Sequence, residues 1–189
     1  SRFAREGVQC QDCHMPDRRH LWRGIHDAEM VRSGLTISAK TGAARYRPGE
    51  TATATLSVTN ARVGHAFPTY VTPRVILRAE LLDAAGRVVA GSRAEKVIAR
   101  EVALDLAGEV FDTRLLPRRS AALQYRRRIE EPGMRVRLSV VVEPDAFYTK
   151  FFEALLRQGA GRGEAQIRAA LEASRRSPFI VFERELQLS

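Results

Sequence analysis

Thr51-Ala52-Thr53-Ala54-Thr55-Leu56-Ser57-Val58-Thr59 alternates without a break. Ala52, Ala54, Leu56 and Val58 fall on one face of an extended chain and hydroxyl side chains on the other, the period of a half-buried β-strand. Arg47-Pro48-Gly49-Glu50 leads into it with turn chemistry. Downstream, residues 74–82 read as a second strand, and Asp83-Ala84-Ala85-Gly86 as the hairpin turn into Val88-Val89. Further strands are expected at 97–102, 109–115, 121–129, 134–142 and 179–188. Short strands at this spacing, with turn signals between them, predict a mainly β fold: an immunoglobulin-like antiparallel β-sandwich.

Two helices interrupt this pattern near the end. Residues 144–157 begin with Pro144 and place Phe147, Phe151, Phe152 and Leu155 on one side, a stripe that reads as core packing. Residues 164–175 carry a shorter stripe of Ile167, Ala170 and Leu171, weakened by Ser174. The glycines of Gly159-Ala160-Gly161-Arg162-Gly163 join the helices and follow no strand, so they form a linker and not a dinucleotide loop. The expected organisation is a small segment over 1–34 and a sandwich over 35–189, with a helical insertion around 144–175.

The first 34 residues show little strand period. They hold Cys10-Gln11-Asp12-Cys13-His14, and no other cysteine occurs in the chain. Cys-x-x-Cys-His is the attachment signature of a c-type haem. Two thiols three positions apart on a helical turn reach neighbouring vinyl positions, and the next residue points at the iron as its proximal ligand. Cys10 and Cys13 are thus expected to fix one haem c per chain and His14 to ligate it. A segment this short cannot bury its own core, so a haem wrapped by Leu21, Trp22, Ile25 and Met30 would supply apolar surface. Asp27 reads as the cap of a short helix ending at Gly34.

Three other histidines compete for the opposite face of the iron. His20 is six residues from His14, a path of at most about 20 Å fully extended, barely enough to round the macrocycle. His26 has a comfortable path and sits at a helix start, while His65 is unrestricted by the linker. The order of preference is His26, His65, His20, with Met30 and Met15 behind them. The surplus suggests that at least one spare imidazole ligates or abuts a haem from another polypeptide segment.

Taken together, Cys10-x-x-Cys13-His14-Met15-Pro16, His20-x-x-x-Gly24-x-His26 and Gly64-His65-Ala66-Phe67-Pro68-Thr69, leading into a β-sandwich, resemble the C-terminal part of multihaem c-type cytochromes from bacteria. The resemblance covers residues 7–82. It implies a periplasmic or extracellular electron carrier with six-coordinate haem, not an enzyme. Such cytochromes usually carry several Cys-x-x-Cys-His motifs, and this chain has one. The others lie upstream of Ser1, or on a partner, or the chain is a single-haem module.

Two rival readings use the same residues. Cys10, Cys13, His20 and His26 have spacing close to that of a zinc-stabilised binding domain, but that leaves His14 unused. A haem enzyme with an open distal site would need polar groups that move protons, and no convincing acid–base pair stands near the motif.

The 189 residues are 44% hydrophobic and 28% charged, ordinary for a globular protein. No apolar run approaches the roughly 20 residues of a membrane span. The N-terminus lacks an apolar signal core although haem attachment occurs outside the cytoplasmic membrane. A mature, processed protein or the C-terminal part of a longer one is therefore expected. The net charge of +9 comes from arginine, since only Lys40, Lys96 and Lys150 are lysines. It favours acidic redox partners, haem-bearing subunits or an anionic membrane surface. Dispersed basic residues without interleaved aromatics do not fit nucleic acid.

Overall fold

The computed structural model describes residues 2–189. Three short helices come first: α1 (Arg2–Arg5), α2 (Cys10–His14) and α3 (Ala28–Gly34). Eight strands follow, β1 (Leu35–Thr41), β2 (Thr51–Asn60), β3 (Arg74–Leu82), β4 (Ala94–Val102), β5 (Glu109–Asp112), β6 (Ser120–Arg128), β7 (Arg135–Glu143) and β8 (Phe179–Gln187). Helices α4 (Ala146–Gln158) and α5 (Glu164–Arg176) lie between the last two.

The strands form two antiparallel sheets, β1-β2-β6 and β5-β4-β3-β7-β8. This is an immunoglobulin-like sandwich: first, second and sixth strands in one layer, with the third pairing the seventh in the other. The alternation of β2 is realised residue by residue, with Ala52, Ala54, Leu56, Val58 and Asn60 buried and the residues between them exposed or half-buried. Leu56 and Val58 meet Val75, Leu77, Leu138, Val140 and Val142 in one core. Each such side chain contributes roughly 1.5–3 kcal/mol by leaving water.

Several boundaries differ from the sequence expectation. Asp145, not Pro144, occupies the N-cap of α4. Strand β5 stops at Asp112, and Leu115 instead bridges Phe67 in isolation. Core packing for the aromatics of α4 is not what the structure shows, because no α4 residue is buried. Phe147, Tyr148, Phe151 and Phe152 stack on one another at ring separations near 6 Å, half-buried or exposed. In α5, Ser174 is buried yet satisfied: its hydroxyl donates to Leu171 O (2.9 Å) and accepts from Thr149 Oγ1 (2.9 Å).

Helix α3 ties the N-terminal segment to the sandwich. Val31 and Gly34 are buried, and Arg32 Nε donates to Val181 O on β8 (2.9 Å). Gly34 leaves no room for a side chain, since a Cβ would come within 2.6 Å of Val63 Cγ2. Its carbonyl accepts from the amides of Ala61 and Arg62, which pins the start of the loop after β2. Among the described residues no helix is long and apolar enough to cross a membrane.

Candidate haem-binding site

Helix α2 is a single turn that carries both cysteines. Its N-cap is closed locally, Gln9 N donating to Asp12 Oδ2 at 2.7 Å. Cys10 and Cys13, three positions apart, therefore share a face. Both are free thiols exposed to solvent.

His14 is held by a two-point tether to Arg23. The Arg23 amide donates to His14 O (2.9 Å), and His14 Nδ1 lies 2.5 Å from Arg23 O. A carbonyl only accepts, so Nδ1 carries the proton and Nε2 keeps its lone pair. The Arg23 guanidinium is gripped in turn by Asp27 (2.5 and 3.1 Å) and Glu29 (2.7 Å). Asp27 also caps α3 by accepting from Met30 N at 3.0 Å, as its position in the sequence foretold. The hydrogen bonds from Arg23 and then from Met30 hold the Asp27 carboxyl down to about 2. Asp17, Arg18 and Trp22 all adopt left-handed φ, an uncommon concentration in non-glycine residues.

The loop after β2 brings His65 to the same place. The His14 and His65 ring centres are 6.2 Å apart and their planes differ by 18°. His65 Nδ1 lies 2.9 Å from Ala66 O and 3.0 Å from Thr69 Oγ1. By the same logic Nδ1–H donates to the carbonyl and Nε2 is left for a metal. Two imidazoles on opposite sides of one ion, each bonded at about 2.0 Å, have ring centres roughly 6.3 Å apart. The separation of the pair matches that distance. Trp22 stacks on His14 at 5.6 Å and is 62% exposed. Such apolar surface beside the His14 imidazole suits a porphyrin edge.

His26 is engaged by another side chain. His26 Nε2 is 3.1 Å from Asp145 Oδ1, at the start of α4, with a 60% exposed side chain. His20 is exposed, and Met15 and Met30 are half-buried. Among the described residues no group of three or more His, Cys, Asp or Glu side chains is gathered to hold a metal ion, so Cys10, Cys13, His20 and His26 form no four-ligand cage.

Thr69 entered the sequence reading only as the last residue of the Gly-His-x-Phe-Pro-Thr element, and Arg23 and Asn60 escaped it. Only Asn60 left a usable signal, because it occupies the next inward position after Ala52, Ala54, Leu56 and Val58. A polar residue there must find buried partners.

No protein-family profile matches the chain, and no curated protein matches its sequence. In fold it is similar to a penta-heme cytochrome c552 from Thermochromatium tepidum, with TM-score 0.64 and 21% identity over 97% of this chain. The match takes in 48% of that cytochrome, so the chain spans about half its length. A protein assigned as ApaA from Bordetella pertussis gives TM-score 0.37 and 15% identity over 82% of this chain and 93% of that one, too distant to carry an argument. The first likeness shows a multihaem-cytochrome-like fold.

Proposed function

We propose that the protein is an extracytoplasmic electron carrier with one haem c per chain, working in a multihaem electron-transfer chain. The observation that carries this is the His14–His65 pair, 6.2 Å between ring centres, each with Nδ1 engaged by a backbone carbonyl. Residues 1–34 serve as the haem-binding segment and residues 35–189 as the sandwich that presents the second imidazole.

Each residue has a defined task. Cys10 and Cys13 would hold the haem covalently through their thiols. His14 would ligate its iron through the free Nε2, and so would His65 in preference to His26, whose Nε2 is turned to Asp145. The carbonyls of Arg23 and Ala66 fix both tautomers and raise ligand basicity. When bound, the haem supplies a one-electron iron couple whose potential two imidazoles hold low. With both faces taken, the site has no room for substrate, which favours a carrier over an enzyme. His20, exposed and close in sequence to the motif, is left for a haem on another segment or subunit. The fold shared with half of a penta-heme cytochrome supports such a setting.

The test is expression in a host that matures c-type cytochromes, followed by reduced spectra and acid–acetone extraction. Covalently retained haem with a low-spin spectrum is expected. A colourless chain, or haem that extracts freely, contradicts the proposal.

A further inference from the structure

We propose that Asn60 is the residue that keeps the His65 imidazole at the iron, and so keeps the sixth position closed. The inference rests on the two-imidazole reading above and adds a positioning residue to it.

His65 is exposed, so packing does not hold its side chain; Ala66 O and Thr69 Oγ1 orient its ring, and the backbone beneath sets where the ring stands. That backbone hangs from Asn60. The Asn60 side chain is fully buried, its Nδ2 donating to His65 O (2.9 Å) and Leu115 O (2.9 Å) and its Oδ1 accepting from Val63 N (3.2 Å). Its backbone is tied as well, N to Arg119 O (3.0 Å) and O from Arg118 N (2.7 Å). Leu115 is itself locked to Phe67 by two amide–carbonyl bonds (2.9 and 2.8 Å), and Arg114 Nη1 donates to Thr69 O at 2.7 Å.

The loop is thus bracketed at Val63, His65, Phe67 and Thr69, and one amide group makes the bonds at the first two. An apolar side chain would suit the inward register of β2 equally well. It would leave the part-buried Val63 amide and His65 carbonyl without these partners, and the loop would lose the two bonds that seat it on the end of β2. The loop would then rearrange, carrying His65 away from His14. Asn60 touches neither imidazole ring; it acts through the main chain.

The test compares carbon monoxide uptake by the ferrous, haem-loaded full chain in wild type, Asn60→Asp and Asn60→Thr. Asp keeps the size and the acceptor for Val63 and loses both donors. Thr is the milder replacement should Asn60→Asp fail to fold. At a subsaturating carbon monoxide pressure, uptake at least tenfold above wild type is expected, reversed by free imidazole, with haem still covalently attached. A merely structural role would lower the melting temperature and leave coordination alone, so a folded variant with wild-type uptake overturns the proposal. A wild type that itself takes up carbon monoxide freely overturns the two-imidazole reading before any variant is compared.

Discussion

A histidine serves a metal only through the nitrogen that its neighbours leave free. At His14 and His65 those neighbours are carbonyls bonded to Nδ1, and at His26 the engaged atom is Nε2. This is why His65 is proposed over His26 as the distal ligand. The Cys10, Cys13 and His14 cluster stands out in sequence because its spacing is confined to one helical turn. The approach of His65 to His14 does not, because path length limits where His26 can reach but says nothing of which way its ring is turned. At this scale the thiols give a clean prediction. The double variant Cys10→Ser, Cys13→Ser should release all haem on acid–acetone extraction, whereas wild type retains it; pyridine haemochrome spectra of pellet and supernatant check this.

Secondary structure was legible wherever periodicity is local. Strands β2, β3 and β7 fall within a residue or two of expectation because β2 alternates throughout and β3 and β7 are mostly buried apolar runs of nine residues. Helix α4 shows the limit: its period marked an aromatic face, but period does not say what covers that face. Its rings stack on one another and none is buried in the core, so Phe151→Ala should cost about 1–2 kcal/mol, less than the roughly 2–5 expected for Leu56→Ala in the sandwich. Urea unfolding of both variants decides. The segment after β5 carries a second prediction. Asp112 is held below the ordinary carboxylate range, chiefly by its hydrogen bonds from Arg114, the residue that also holds Thr69 O. A lowered folded-state value means the ion pair stabilises above the unfolded pKa of about 4 and fades as pH falls through the folded value. Wild type should therefore melt higher than Asp112→Asn at neutral pH, and the gap should close in strong acid; melting curves across that range check it.

Across the whole molecule the excess of +9 is unevenly placed. Strands β1, β2 and β6 contain no acidic residue and bear Lys40, Arg126, Arg127 and Arg128, while arginines of the other sheet, such as Arg74, Arg78 and Arg137, are paired with glutamates. Free cationic surface steers an acidic partner, and salt screens it. The rate of electron transfer to an acidic acceptor should fall roughly tenfold or more from low to physiological ionic strength, as stopped-flow mixing would show. The central claim remains that two imidazoles, one from the N-terminal segment and one from the loop after β2, close one iron. Carbon monoxide titration of ferrous His65→Ala beside His26→Ala tests it most directly. The account predicts stoichiometric uptake by His65→Ala and the closed, low-spin behaviour of wild type in His26→Ala; the reverse pattern, or a His65→Ala protein as closed as wild type, would contradict it.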